Sequence, residues 1–112
     1  MGRNALGELE HLVLLATVRL GEGAYGAAVI EEIEEQSGRE LSHAATYIAL
    51  QRLERKGLLT GRDDRSAEGR GGRPRRYFKV TEAGLERLRE SAKALFGMWR
   101  GVDPALRGEV DG

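Results

Sequence analysis

Arg70, Arg73, Arg75 and Arg76 crowd the stretch GRGGRPRRYFKV, residues 69–80, where they sit among three glycines and one proline and Tyr77, Phe78, Lys79 and Val80 follow at once. Glycine cannot fix a side chain by packing, and four guanidinium groups repel one another, so this segment suits an anionic partner better than a compact loop. Arginine can give a phosphate two parallel hydrogen bonds, and glycine lets backbone lie close to a duplex. The alternative reading is a solvated loop whose charges keep a hairpin from pairing edge to edge.

A second group with binding chemistry lies upstream, in SHAATYIALQRLERKG, residues 42–57. His43, Tyr47, Gln51 and Arg55 are four apart, which lines them along one side of a helix; Ala44 and Ile48 also face away from the apolar stripe. Glutamine can pair with adenine, histidine and arginine can meet base edges or phosphate, and a tyrosine hydroxyl suits a phosphate oxygen. In isolation the same pattern would describe a polar helix face with a half-buried tyrosine.

Other chemistries find little support. There is no cysteine, and His11 and His43 are the only histidines, so disulfides, thiolate chemistry, metal centres and cofactor sites are not expected. His11 reads as a surface or half-buried histidine. GEGAYG, residues 21–26, matches the Gly-x-Gly-x-x-Gly of phosphate-binding loops, but the segment before it is helical where a strand is required; the glycines read as a flexible turn between helices. No paired acid/base motif suggests an enzyme.

Three helices, a hairpin and a fourth helix position these groups. In residues 5–20, Leu6, Leu9, Leu12 with Val13, Ala16 with Thr17, and Leu20 recur at helical spacing, and Gly21 is a natural stop. Residues 25–37 place Ala27, Val29, Ile30 and Ile33 on one face, four glutamates on the other, and Gly38 at the end. Ser42 is an N-cap for a helix over 43–56 with Thr46, Ala49, Leu50 and Leu53 inward and Gly57 as terminator. Leu58, Leu59 and Thr60 read as a short strand, RDDRSAEGRGGRP as a turn-rich loop, and RRYFKVT as the returning strand. Thr81 caps a helix over 82–100, in which Leu85, Leu88, Ala92, Leu95 and Trp99 share helical spacing. The expected organisation is a DNA-binding domain over 1–81, a dimerisation helix over 82–100 and a disordered tail over 101–112.

At 112 residues the chain is one domain that buries roughly 65% of its unfolded surface. Its net charge of zero conceals segregation: residues 1–38 set two arginines against seven glutamates, net −5, while residues 39–79 set eleven cations against five acids, net +6. A cationic face backed by an acidic body fits nucleic acid. No apolar run approaches a membrane span and the N-terminus lacks signal-peptide and acylation patterns, so a cytoplasmic protein is expected, without a membrane partner.

Three helices, the third capped and basic, followed by a hairpin with a cationic tip give the order of a winged helix-turn-helix: mainly α with a small β-hairpin (α+β), plus an additional C-terminal dimerisation helix. In that arrangement a helix enters the major groove and the hairpin reaches phosphates or the adjacent minor groove. The candidate DNA-binding residues are therefore Ser42, His43, Ala44, Tyr47, Gln51, Arg55, Arg70, Arg73, Arg75 and Arg76. For dimerisation they are Leu85, Leu88, Ala92, Leu95, Phe96 and Trp99, because the last helix, with Met98, carries more apolar surface than the rest can cover.

Over nearly all of residues 5–100 the chain resembles the PadR-like transcriptional regulators. The resemblance is carried by TYIALQRLERKGLL, with its Tyr47, Leu50, Leu53, Gly57 pattern, and by GRPRRYFKVTEAGLERL, ending in Tyr77, Thr81 and Gly84. LGELEHLVLLAT and Tyr25-Gly26 agree with it. Members often carry Pro-Gly-Thr-Leu before the tyrosine; here those positions read His43, Ala44, Ala45 and Thr46. The resemblance implies a homodimer that represses transcription from a pseudo-palindromic double-stranded operator, with Tyr47 and the loop arginines on the DNA backbone. It also implies a flat aromatic effector bound between protomers near Phe96 and Trp99, a pair that reads equally well as plain interface anchors. A winged-helix module that binds protein without DNA is the competing function.

Overall fold

The structure, a computed structural model, describes residues 5–64 and 75–108. Its elements are α1 (Glu8–Leu20), a single 3₁₀ turn (Gly21–Gly23), α2 (Gly26–Ser37), α3 (His43–Arg55), β1 (Leu59–Asp64), β2 (Arg75–Val80), α4 (Glu82–Trp99) and α5 (Pro104–Arg107). This is a winged helix-turn-helix with an added C-terminal helix.

The three glycine stops lie where backbone demands them: Gly21, Gly38 and Gly57 follow α1, α2 and α3 with φ of 59°, 73° and 78°, a region other residues rarely enter. α1 begins at Glu8 instead of residue 5 because Gly7 is its cap, its amide donating to Glu10 Oε1 at 3.2 Å. Glu10 is buried and pairs with Lys56 Nζ at 2.9 Å. Burial alone would raise its carboxyl; the hydrogen bonds from Lys56 and the Gly7 amide, with the charges of Lys56 and Arg52, outweigh that and hold it below the usual carboxylate range. The pair ties the start of α1 to the end of α3.

The core lies where the three helices meet the hairpin. Leu14, Val29, Leu50, Leu53 and Leu59 are almost wholly removed from water, and Phe78 seals them from β2. On α2 the inward stripe is Gly26, Val29, Ile30 and Ile33, while Ala27 is exposed; Ala27, expected inside, lies about 200° from Val29 around the helix. Two of the four glutamates expected in water are half-buried and engaged: Glu32 pairs with Arg19 and Glu34 accepts from the Leu41 amide at 2.9 Å.

β1 and β2 pair antiparallel in the register Leu59↔Val80, Gly61↔Phe78 and Asp64↔Arg75. β1 extends four residues past the expected Thr60, because Arg62, Asp63 and Asp64 find partners across the hairpin. A third short segment joins the pair: Tyr25 bridges Tyr77, and the Phe78 amide donates to the Ala24 carbonyl at 2.8 Å. The 21–26 segment, expected as a flexible turn, thus also completes the small sheet, with Ala24 fully buried.

α4 leaves the sheet under tight constraint. Thr81 caps it, accepting from the Gly84 amide at 3.0 Å and donating to the Gly57 carbonyl at 2.7 Å. Gly84 rests so close to the residue that leads into β1 that a Cβ there would lie 2.3 Å from the Leu58 carbonyl oxygen. His11 Nδ1 and Ser91 Oγ, 2.7 Å apart, join α1 to the middle of α4. Beyond that point α4 leaves the core. The segment expected to be a disordered tail contains one helical turn, since Asp103 caps it through the Ala105 amide at 2.9 Å and Pro104 occupies its first position.

Candidate nucleic-acid interface

Ser42 starts α3: its Oγ accepts from the Ala45 amide at 3.1 Å, and Thr46, fully buried, donates to the Ser42 carbonyl at 2.8 Å. Thr46, Ala49, Leu50 and Leu53 point inward. At 100° per residue, the stripe opposite them is Ala44, Ile48, Gln51 and Arg55; Ala44, Ile48 and Gln51 are exposed, as is Arg55. His43 and Tyr47 lie to one flank of that stripe, so the expected line through residues 43, 47, 51 and 55 is a diagonal across the face. Ile48, 50% exposed, stands midway along the length of the outward stripe.

Tyr47 lies across the first turn of α2. Its ring covers Gly26, where a Cβ would meet Tyr47 Cε1 at 2.3 Å and the hydroxyl oxygen at 2.8 Å. The hydroxyl therefore sits at the N-terminal end of α2, where unpaired amides favour an anion, and the ring is still 44% exposed. A cleft of about 350 Å³ continues from here, bounded by Tyr25, Tyr47, Gln51, Glu54, Arg75 and Arg76.

The arginines of the hairpin divide into two kinds. Arg75 stacks on the Tyr25 ring, 4.3 Å from its centroid, and Arg62 stacks on Tyr77 at 4.9 Å, the two rings meeting edge to face at 5.5 Å. Stacking orients both guanidinium groups while both side chains stay exposed. Arg62 carries no distinguishing signal in the sequence; its register opposite Tyr77 is what sets it apart. Arg76 is different: one arm of its fork binds Glu54 on α3, and the other binds Asp63 on β1 at 2.9 Å. The Glu54 hydrogen bond first, then the Asp63 one, raise its pKa still further. Arg76, expected on phosphate, thus also links the hairpin to α3 through this fork. Arg70 and Arg73 lie outside the described residues.

The dimerisation candidates also divide. Leu88 is 7% exposed and belongs to the core, Leu85 packs against that core and Ala92 is half-buried. Leu95, Phe96 and Trp99 are exposed, as are Met98 and Leu106 beyond them. Among the described residues no cluster of His, Cys, Asp or Glu could hold a metal ion, and no helix is long and apolar enough to cross a membrane.

The model of the transcriptional regulator PadR-like family matches residues 14–90. Comparison with curated proteins returns no match. Among solved structures, a PadR family transcriptional regulator from Eggerthella lenta is 32% identical, with 81% of this chain and 77% of that one covered and a TM-score of 0.66. A PadR-like transcriptional regulator from Bacillus cereus is 26% identical over 90% and 93% of the two chains, TM-score 0.70. A PadR family transcription regulator from Clostridium difficile, 20% identical, shares the fold over 95% of this chain and 100% of its own, TM-score 0.69.

Proposed function

This chain belongs to the PadR-like family of DNA-binding transcriptional regulators, and from that premise we propose that it is a cytoplasmic, sequence-specific repressor acting as a homodimer on a pseudo-palindromic operator. The observation that carries the reading is that Gln51 of α3, Tyr47 over the start of α2 and Arg75 of the hairpin border one cleft. A duplex laid there receives α3 in its major groove while Tyr47 and Arg75 meet the flanking phosphates. Arg70 and Arg73 lie outside the described residues, and the backbone role proposed for them rests on the sequence.

Leu95, Phe96 and Trp99 supply the dimer contact, an apolar face that is unusual on a monomer. A two-fold axis through α4 then sets two copies of α3 on successive major grooves, about 34 Å apart. A flat aromatic effector slotted between the two copies of Phe96 and Trp99 would release the operator by altering that spacing.

Selection of bound sequences from a random DNA pool, followed by footprinting, tests this directly. The expected product is an inverted repeat with half-sites about one helical turn apart, protected by two protomers. Recovery of unenriched DNA, or of a single half-site held by a monomer, would overturn it.

A further inference from the structure

Ile48 is half exposed at the middle of α3, while Ala49 and Leu50 beside it are buried. Around it stand Ala44 one turn before, Gln51 one turn after, and Arg52 and Arg55. A large apolar side chain at the crest of an otherwise polar face loses free energy in water. Its β-branched stem is also nearly confined to one χ1 rotamer in a helix, so it has little freedom left to lose when covered.

The one apolar group on a base edge in the major groove is the C5-methyl of thymine. Opposite cytosine N4 or guanine O6, the same isoleucine would strip water from a polar group and offer no hydrogen bond in return. The side chain therefore favours one base and penalises others. Gln51 is three residues on, about 4.5 Å along the helix axis, close to the step of about 3.4 Å between base pairs.

We infer that Ile48 is a specificity-determining residue that reads a thymine methyl, with Gln51 reading an adenine in the neighbouring base pair. The inference rests on the DNA-binding reading above and adds to it what each half-site must contain. Ala44, smaller and one turn nearer the N-terminus, accommodates a second methyl without demanding one.

The test uses the full chain and the duplex recovered by selection, with each thymine replaced singly by deoxyuridine. That exchange removes only the methyl and leaves pairing and phosphate charge intact. Titration by fluorescence anisotropy is expected to find a thymine in each half-site whose methyl is worth about fourfold in Kd. Ile48→Ala should bind the thymine and uracil duplexes equally and keep its affinity for random DNA; Gln51→Ala should retain the thymine preference. If no thymine is sensitive, or if Ile48→Ala still discriminates the two bases, Ile48 does not read a methyl, although DNA binding itself stands. If the intact chain binds no selected duplex more tightly than random DNA, the reading beneath the inference fails instead.

Discussion

The Arg76 clamp can be isolated in a thermodynamic cycle on stability. Arg76, Glu54 and Asp63 have side chains 44%, 32% and 50% exposed, so each ion pair belongs in the range of about 0.2–1 kcal/mol measured for exposed pairs. One guanidinium serves both carboxylates, however, and the cost of ordering it falls once. We therefore expect Arg76→Ala to cost about 1 kcal/mol, and Glu54→Gln, which leaves Asp63 in place, about half that. Combined, the two should cost clearly less than their sum, because the second substitution acts on a pair that the first has already removed. Circular dichroism melts at one fixed protein concentration would read the larger change as a fall of about 4–8 °C in Tm. Since the clamp joins the hairpin to α3, both variants should lose more affinity for the selected site than for random DNA. Costs that add within about 0.3 kcal/mol would mean that the two side chains do not meet in solution.

Gly84→Ala sets a Cβ 2.3 Å from the Leu58 carbonyl oxygen, where rigid backbone must yield; urea denaturation should register a loss of about 1–3 kcal/mol, and a loss below about 0.5 would contradict that packing. Burial pushes the His11 imidazole below its ordinary value, so the fold favours the neutral ring: the contribution is fully present above pH about 6.5 and is lost as pH falls through and below that value. His11→Asn should flatten the Tm profile between about pH 7.5 and 5.5, and an unaltered profile would refute the assignment. Phe96→Glu places a charge on the exposed part of α4 and should return the 12.3 kDa monomer in light scattering, whereas an unchanged larger mass would remove Phe96 from the interface.

Much of the architecture is legible in the sequence because local rules and tertiary packing agree. The Ser42 and Thr81 caps, the Gly38 and Gly57 stops and the inward stripe Thr46, Ala49, Leu50, Leu53 all stand where spacing puts them. Partners distant in the chain are not legible. Nothing in the spacing of Tyr25 and Tyr77 declares that they pair, and so the 21–26 segment reads as a flexible turn alone. Arg76 looks like its neighbours in a basic run; only the hairpin register opposite Asp63 and the approach of Glu54 distinguish it. Ile48 visibly faces outward, but Gln51 and Arg55 on the same stripe carry the hydrogen-bonding groups that reading of bases most often uses. On α4 a single apolar stripe serves the monomer's own core at Leu88 and solvent at Leu95 and Phe96, a division that periodicity cannot mark.

The proposed division of labour between α3 and the hairpin is tested most directly by the salt dependence of binding for Gln51→Ala and Arg75→Ala, each on the selected operator and on random DNA. Arg75→Ala should weaken both DNAs and reduce the magnitude of the slope of log K against log salt by about 0.9 for each phosphate it no longer neutralises. Gln51→Ala should cost about 1–3 kcal/mol on the operator alone and leave the slope unchanged. An Arg75→Ala effect confined to the operator, or a Gln51→Ala loss equal on every sequence, would contradict the assignment of hairpin to backbone and α3 to bases.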